Sequence, residues 1–204
     1  MALILCIETA TTNCSISLAQ DGKLLALKED YNNQYSHAER LHVFIKEILA
    51  ENRFSAEDLD AIAVSKGPGS YTGLRIGVSA AKGFCFSLDI PLISVPTLTS
   101  LAHQIGQGEA DLIFPLLDAR RMEVYTAGFD AEKEQIMETQ AKILDETSFK
   151  EYLEKGKLAF IGDGVAKFRE ICTHENAIYI EGKLPSAKEM GVLAHKKFLE
   201  EDFE

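Results

Sequence analysis

The sequence has few of the residues that build disulfide frameworks and metal sites. It contains no tryptophan and only four cysteines among 204 residues. The cysteines are scattered, with neither a C-x-x-C pair nor a histidine at ligand spacing; they are Cys6, Cys14, Cys85 and Cys172. This pattern favours reduced thiols, packed as small hydrophobic side chains, over a disulfide scaffold or a zinc site.

Long apolar runs and an excess of basic residues are also absent. The apolar run near the first residue ends at Glu8, so it predicts a strand rather than a signal peptide, and no run approaches membrane-spanning length. With 32 acidic and 21 basic residues the net charge is -11, which argues against an extended grip on nucleic acid. We therefore expect a cytosolic protein without a membrane partner.

Hydrophobic periodicity predicts an α/β protein of two lobes, residues 1–105 and 106–185, joined at a hinge near Gly106. The first lobe has the order β-β-β-α-β-α-β-α, and the last helix, within 186–204, is expected to pack back on it. Ser36 and Glu39 form a capping-box pattern at the start of the first helix. Predicted strands cover 2–8, 14–20, 23–29, 61–65, 91–95, 112–117, 123–129, 135–142, 158–162 and 178–181; predicted helices cover 36–51, 72–88, 97–105, 148–155, 165–171 and 186–201.

The segment 60–88 joins a buried strand to a glycine-rich turn and then to a helix that Ser70 or Thr72 caps. Such a junction can hold a phosphate, but the glycine spacing G-x-G-x-x-x-G matches neither a dinucleotide fingerprint nor a P-loop. From Gly73 onward the only charged residues of the helix are Arg75 and Lys82. A helix this apolar needs cover on more than one face, which favours burial against a partner over purely internal burial.

Four stretches of the sequence together resemble the TsaB family: IETATTNCSISL, KGPGSYTGLRIGVSAAKG, PLLDARRMEVYTA and FIGDG. The resemblance implies a two-lobed actin-like fold of the ASKHA, ribonuclease-H-like class, with mixed sheets flanked by helices. It also implies a non-catalytic scaffold or activator subunit, a pseudoenzyme, in the bacterial machinery that makes threonylcarbamoyladenosine in tRNA. The implied partners are the catalytic paralogue TsaD in a heterodimer and the ATPase TsaE in a larger complex, with tRNA reached only indirectly; the chain alone can form a homodimer.

The metal site of the catalytic paralogue has no counterpart in this sequence. An H-x-x-x-H pair supplies ligands there, and the corresponding positions here are Thr97 and Leu101. Leucine cannot ligate a metal, and a threonine hydroxyl is a poor substitute for imidazole. His37 and His42 are five apart on a helix and point in different directions. A metallopeptidase-like hydrolase therefore remains only a second alternative, and we expect no metal.

A nucleotide site is harder to exclude. In ATPases and kinases of this fold an acidic residue and hydroxyl groups of the first hairpin meet the phosphates, and Glu8 and Thr11 stand at that place. Gly162 and Gly164 stand where the family has its adenosine loop. Turns kept for folding are favoured over a working ATP site. A nucleotide-binding ATPase or small-molecule kinase is thus the first alternative; weak ATP or ADP binding stays open, and no cofactor is required.

The DARRME segment concentrates charge between two predicted strands. Asp118 and Arg120 suggest either a cleft carboxylate with an anion clamp or a solvated turn with a local salt bridge, and the turn is favoured. A polar contact between this segment and a partner protein is a further alternative.

The predicted partner surface lies on the two helices of the first lobe, which the resemblance implies dock against those of TsaD. Gly73, Gly77 and Ala81 are four apart, so they would let a neighbouring helix approach closely. The remaining predicted interface residues supply apolar area; they are Leu41, Phe44, Ile48, Leu74 and Val78.

Overall fold

Two five-stranded mixed sheets flanked by helices form the framework of the protein in a computed structural model that describes residues 1–31 and 37–204. In chain order the described elements are β1 (Leu3–Glu8), β2 (Cys14–Gln20), β3 (Lys23–Asp30), α1 (His37–Glu51), a 3-10 helix (Ala56–Asp58), β4 (Ala61–Ser65), α2 (Tyr71–Leu88), β5 (Leu92–Val95), α3 (Thr97–Ala102), β6 (Leu112–Asp118), β7 (Glu123–Asp130), β8 (Gln135–Ile143), α4 (Lys150–Leu153), β9 (Leu158–Ile161), α5 (Val165–Arg169), β10 (Ala177–Ile180) and α6 (Met190–Leu199). The predicted order of elements is confirmed. Within the described ranges, no helix is long and apolar enough to cross a membrane.

The chain divides into two units, each described here by itself. Unit 1 comprises Met1–Ser100 and Pro185–Glu204, and unit 2 comprises Leu101–Leu184. In unit 1 the strand order is β3-β2-β1-β4-β5, with β1 antiparallel to β2 and parallel to β4. Asp21 and Gly22, with φ of 49° and 77°, make the tight turn between β2 and β3.

Both faces of the unit 1 sheet are buried, which explains why β1 and β4 are continuous apolar runs. On one face Leu5 packs among residues of α1 and α2. On the other face Ile4 packs with Met190 and Ala194 of α6. The helix near the end of the sequence thus completes the core of unit 1.

The start of α6 differs from the prediction. Residues 186–189 were predicted to be helical, but the hydroxyl of Ser186 donates to Glu29 Oε1 at 2.6 Å, and the amide of Ala187 donates to Ser15 Oγ at 2.9 Å. Ser17 Oγ in turn donates to the carbonyl oxygen of Ala187 at 2.7 Å. These bonds to β2 and β3 hold the segment in a non-helical course, so the helix begins only at Met190. The predicted cap at Ser36 lies outside the described residues.

Unit 2 contains the second sheet, with the strand order β10-β9-β6-β7-β8. Its core is aromatic: the rings of Phe114, Phe149, Phe160 and Phe168 lie 4.9–6.1 Å from their neighbours, centroid to centroid. Such tilted and edge-on pairs add to the stability that burial alone gives. Phe168 lies in α5, and Phe149 is the residue immediately before α4.

Candidate functional site

The second helix, α2, begins at the glycine-rich turn as the sequence predicts. Ser70 is its N-cap, because the hydroxyl oxygen of Ser70 accepts a hydrogen bond from the amide of Gly73 at 3.3 Å. The amide of Ser70 itself donates to the carbonyl oxygen of Ala10 at 2.6 Å. The turn is therefore tied to the chain that follows β1.

The small residues of α2 face inward, which corrects their predicted role. A Cβ on Gly73 would overlap the carbonyl oxygen of Thr9, and a Cβ on Gly77 would overlap the hydroxyl of the same threonine. Ala81 is fully buried in the core below. These positions allow the end of β1, rather than a partner helix, to approach α2 closely.

The same correction applies to two interface residues predicted on α1, since Leu41 and Ile48 are completely enclosed in the core of unit 1. Phe44 on α1 and Leu74 and Val78 on α2 are half-buried, so their place at a partner interface stays a prediction. The amphipathic pattern correctly predicts the helices. Its fully buried side chains, however, pack on the sheet of unit 1 and are not available to a partner.

The outward side of α2 carries a row of exposed side chains, called here the α2 ridge: Tyr71, Arg75, Lys82 and Phe86. Phe86 is 92% exposed and Tyr71 is 75% exposed. A guanidinium nitrogen of Arg75 donates to the hydroxyl of Tyr71 at 3.2 Å, and the group lies 5.3 Å from the tyrosine ring centroid. The two side chains thereby hold one another in place on the surface. The sequence analysis missed Tyr71 and Phe86, although aromatic residues near Arg75 at helical spacing could have indicated them.

A groove of about 760 Å³ runs between α1 and α2 beside this ridge. Phe84 forms part of its floor and lies 6.3 Å from His42, ring centroid to ring centroid. The groove is lined by Ala38, His42, Tyr71, Thr72, Arg75, Ile76, Ser79, Ala80, Gly83, Phe84 and Ser87. The groove and the ridge together give unit 1 an apolar surface with basic side chains along it.

The predicted nucleotide residues of unit 1 are enclosed. Glu8 is fully buried; its Oε1 accepts hydrogen bonds from the amide of Ala10 at 2.6 Å and from Ser65 Oγ at 2.8 Å. Among the described residues its Oε2 has no hydrogen-bond partner. Burial raises the pKa of Glu8 to about 7. Thr11 is also buried, and its hydroxyl oxygen accepts from the amide of Asn13 at 3.4 Å. These bonds close the turn between β1 and β2.

The enclosed carboxyl of Glu8 predicts a pH dependence of stability. The folded chain keeps this proton up to about pH 7, whereas the unfolded chain releases it near 4.5. The free energy of unfolding should therefore fall as pH rises through this window, by roughly 3 kcal/mol for this one group. Glu8→Gln removes the ionisation, so its stability relative to wild type should rise by about that amount between pH 4.5 and pH 8. Urea unfolding across this range measures the difference, and a pH-independent difference would contradict the assignment.

The predicted glycines of unit 2 pack against β6. Gly164 donates its amide to the carbonyl oxygen of Leu116 at 2.9 Å, and a Cβ on Gly162, which has φ +123°, would overlap that oxygen. Asp163 accepts a hydrogen bond from the amide of Asp118 at 2.8 Å, and burial raises the pKa of Asp163. The GDG segment therefore has a defined folding role at the end of β6.

The positions that correspond to the paralogue's metal ligands are buried. Thr97 and Leu101 have no measurable exposure. Across residues 1–31 and 37–204, no group of three histidine, cysteine, aspartate or glutamate side chains is placed to hold a metal ion.

Comparisons with known proteins bear on the family and the fold of the chain. A family model described as "TsaD: tRNA N6-adenosine threonylcarbamoyltransferase" matches residues 32–204. The Escherichia coli (strain K12) protein named tRNA threonylcarbamoyladenosine biosynthesis protein TsaB is 30% identical over 204 residues, which cover 97% of this chain and 87% of that protein. The solved structure of YeaZ from Pseudomonas aeruginosa has a TM-score of 0.85 at 25% identity and covers 100% of this chain and 95% of its own.

A more distant structure places the fold in a wider class. The ethanolamine utilization protein EutJ from Carboxydothermus hydrogenoformans has a TM-score of 0.54 at 10% identity, with 94% of this chain and 89% of that chain covered. The predicted α/β, actin-like fold class is thereby confirmed, and the matched model adds a relationship to threonylcarbamoyltransferases. Within that class, the chain belongs to the TsaB family.

Proposed function

We propose that this chain is a non-catalytic subunit that binds the catalytic paralogue TsaD and supports threonylcarbamoyl transfer to adenosine in tRNA. The observation that carries the proposal is the α2 ridge with its neighbouring groove. Phe86 and Tyr71 leave a large apolar area in water, an arrangement typical of protein interaction sites. The relatives' names supply the pathway, since they are called tRNA threonylcarbamoyladenosine biosynthesis proteins.

The energetics favour a stable complex at this surface. Burying one large apolar side chain contributes about 1.5 to 3 kcal/mol, and Phe86 is almost entirely available for it. Aromatic and arginine side chains are frequent centres of binding energy, and Tyr71 and Arg75 are already ordered by their mutual contacts. A helix of the partner laid into the groove would bury these groups together.

The buried groups at the predicted metal and nucleotide positions support a subunit without its own chemistry. Thr97 and Leu101 supply no imidazole, and both are enclosed. One carboxyl oxygen of Glu8 is bonded to Ala10 and Ser65, and the side chain has no exposed surface for a ligand. In the proposed complex the reacting groups therefore belong to TsaD, and the ATPase TsaE joins the larger assembly.

Reconstitution of tRNA modification tests this proposal. Supplied with a threonylcarbamoyl donor, TsaD from the same organism should modify an unmodified tRNA transcript only when this chain is present, and the two proteins should elute together in size-exclusion chromatography. Modification by TsaD alone at the same rate, or the absence of a complex, would contradict it. So would ATP turnover by the isolated chain, because the chain would then be an enzyme in its own right.

A further inference from the structure

The turn between β6 and β7 in unit 2 contains two consecutive arginines in an unusual backbone conformation. Arg120 and Arg121 have φ of 73° and 50°. A Cβ makes this left-handed region unfavourable, and glycine and asparagine enter it with the least strain. Glycine or asparagine would fit these two positions with less strain, so the fold itself does not require arginine there.

Hydrogen bonds from Lys167 hold the backbone of this turn in place. The ammonium group of Lys167 donates to the carbonyl oxygens of Arg121 at 2.8 Å and Glu123 at 2.6 Å, and to Asp118 Oδ1 at 3.1 Å. The same carboxylate oxygen of Asp118 accepts the amide of Arg120 at 2.6 Å. The expected salt bridge between Asp118 and the Arg120 side chain is thus replaced by a pair with Lys167.

The guanidinium groups of both arginines are exposed to solvent. Arg120 and Arg121 are exposed, and neither side chain has a hydrogen bond or ion pair with any residue in 1–31 or 37–204. This is notable in a chain with 32 acidic side chains. The backbone of the turn is held by hydrogen bonds, and it carries two exposed positive side chains next to each other.

We propose that Arg120 and Arg121 form a contact site for RNA phosphates, through which the chain touches the tRNA that its complex modifies. The planar fork of arginine matches phosphate oxygens. A protein interface would also need an apolar centre that excludes water, whereas the exposed side chains of residues 118–121 are all charged. The inference rests on the proposed function, and it replaces the expectation that tRNA is reached only indirectly. A contact of two residues is compatible with the acidic composition, because it neutralises few phosphates.

The double variant Arg120→Gly with Arg121→Asn separates the ligand role from folding. It places residues that tolerate φ above zero in the turn, so the melting temperature should rise by about 3 °C. Binding of an unmodified tRNA transcript to the complex with TsaD should weaken on the order of tenfold. The slope of log K against log salt should fall by about 1.4 to 1.8 for two lost phosphate contacts. Fluorescence anisotropy over a salt series measures both quantities.

Arg53 offers a matched control. It is another exposed arginine with positive φ, 61°, and it follows α1 in unit 1. Arg53→Gly also relieves strain and removes one positive charge, but tRNA affinity and its salt slope should not change. A second variant, Arg120→Lys with Arg121→Lys, keeps the charge and should retain the salt slope while losing affinity, since lysine lacks the planar fork.

Two results would overturn the inference. One is an unchanged tRNA dissociation constant and salt slope in the stabilised double variant. The other is loss of the complex with TsaD while tRNA binding by the isolated chain stays the same, which would make the turn a protein contact. Neither result touches the proposed function, which fails only if wild-type chain does not bind TsaD or is not needed for modification.

Discussion

Phe86→Asp should abolish the complex with TsaD and, with it, tRNA modification. Phe86 is 92% exposed and offers the largest free apolar surface of α2. The substitution replaces it with a carboxylate, which would lose its hydration in the complex. Loss of a central aromatic side chain typically costs 2 kcal/mol or more, which is a factor of about 30 in the dissociation constant, and burial of an unpaired carboxylate adds to it. Isothermal titration with TsaD measures the affinity, and circular dichroism checks that the free chain is folded.

Leu199→Asp provides the control for this result. Leu199 is the last residue of α6 and is 69% exposed, so the variant makes the same kind of change on another surface helix of unit 1. It should bind TsaD with wild-type affinity. If Phe86→Asp also bound with wild-type affinity, the α2 ridge would not be the docking surface. A third variant, Arg75→Glu, then tests whether another side chain of the α2 ridge contributes to TsaD binding besides Phe86.

Gly73→Ala should destabilise the free chain by roughly 3 kcal/mol, although alanine is the better helix former. The added Cβ would overlap the carbonyl oxygen of Thr9 and approach the ring of His37. A backbone carbonyl cannot rotate away, so either α2 or the end of β1 has to shift. Urea unfolding of the isolated chain measures the loss. The complex with TsaD should weaken only as far as the folded population falls.

Gly83→Ala is the matched substitution in the same helix. Apart from its chain neighbours and the backbone of α2 itself, no atom of the described residues lies within 4 Å of the position that its Cβ would occupy. The variant should raise the free energy of unfolding by about 0.5 to 1 kcal/mol, since alanine restricts the unfolded chain more than glycine does. Equal effects of the two substitutions would mean that helix propensity, and not the approach of Thr9, decides stability here.

Elements with a clear local signal were predicted well from the sequence. The bounds of β2 and β4 agree with the prediction at both ends, because alternation of apolar and polar residues in β2 and an apolar run in β4 are both typical of strands. The N-cap at Ser70 also follows from a local pattern. The late start of α6 could not be predicted, since it depends on hydroxyl groups of Ser15 and Ser17 that lie far away in the sequence.

The faces of α2 show the limit of pattern analysis for the site. The helix is apolar almost all round, so periodicity does not say which side meets the sheet. The answer depends on the end of β1, where Thr9 fits only against Gly73 and Gly77. Once those glycines face inward, Tyr71 and Phe86 must face outward. The partner of Asp118 was likewise decided by Lys167, a residue 49 positions away along the chain.

The return of the chain to unit 1 has a consequence for synthesis on the ribosome. Among the described residues of unit 1, Ile4 and Ala63 lie on a sheet face that α6 covers, together with the segment that hydrogen bonds with Ser15, Ser17 and Glu29 hold in place. Translation produces β1, β4 and β5 long before it produces α6. During that interval an apolar sheet face stays open while unit 2 is already complete, so a nascent chain of this protein offers chaperones a binding surface that the finished molecule has closed.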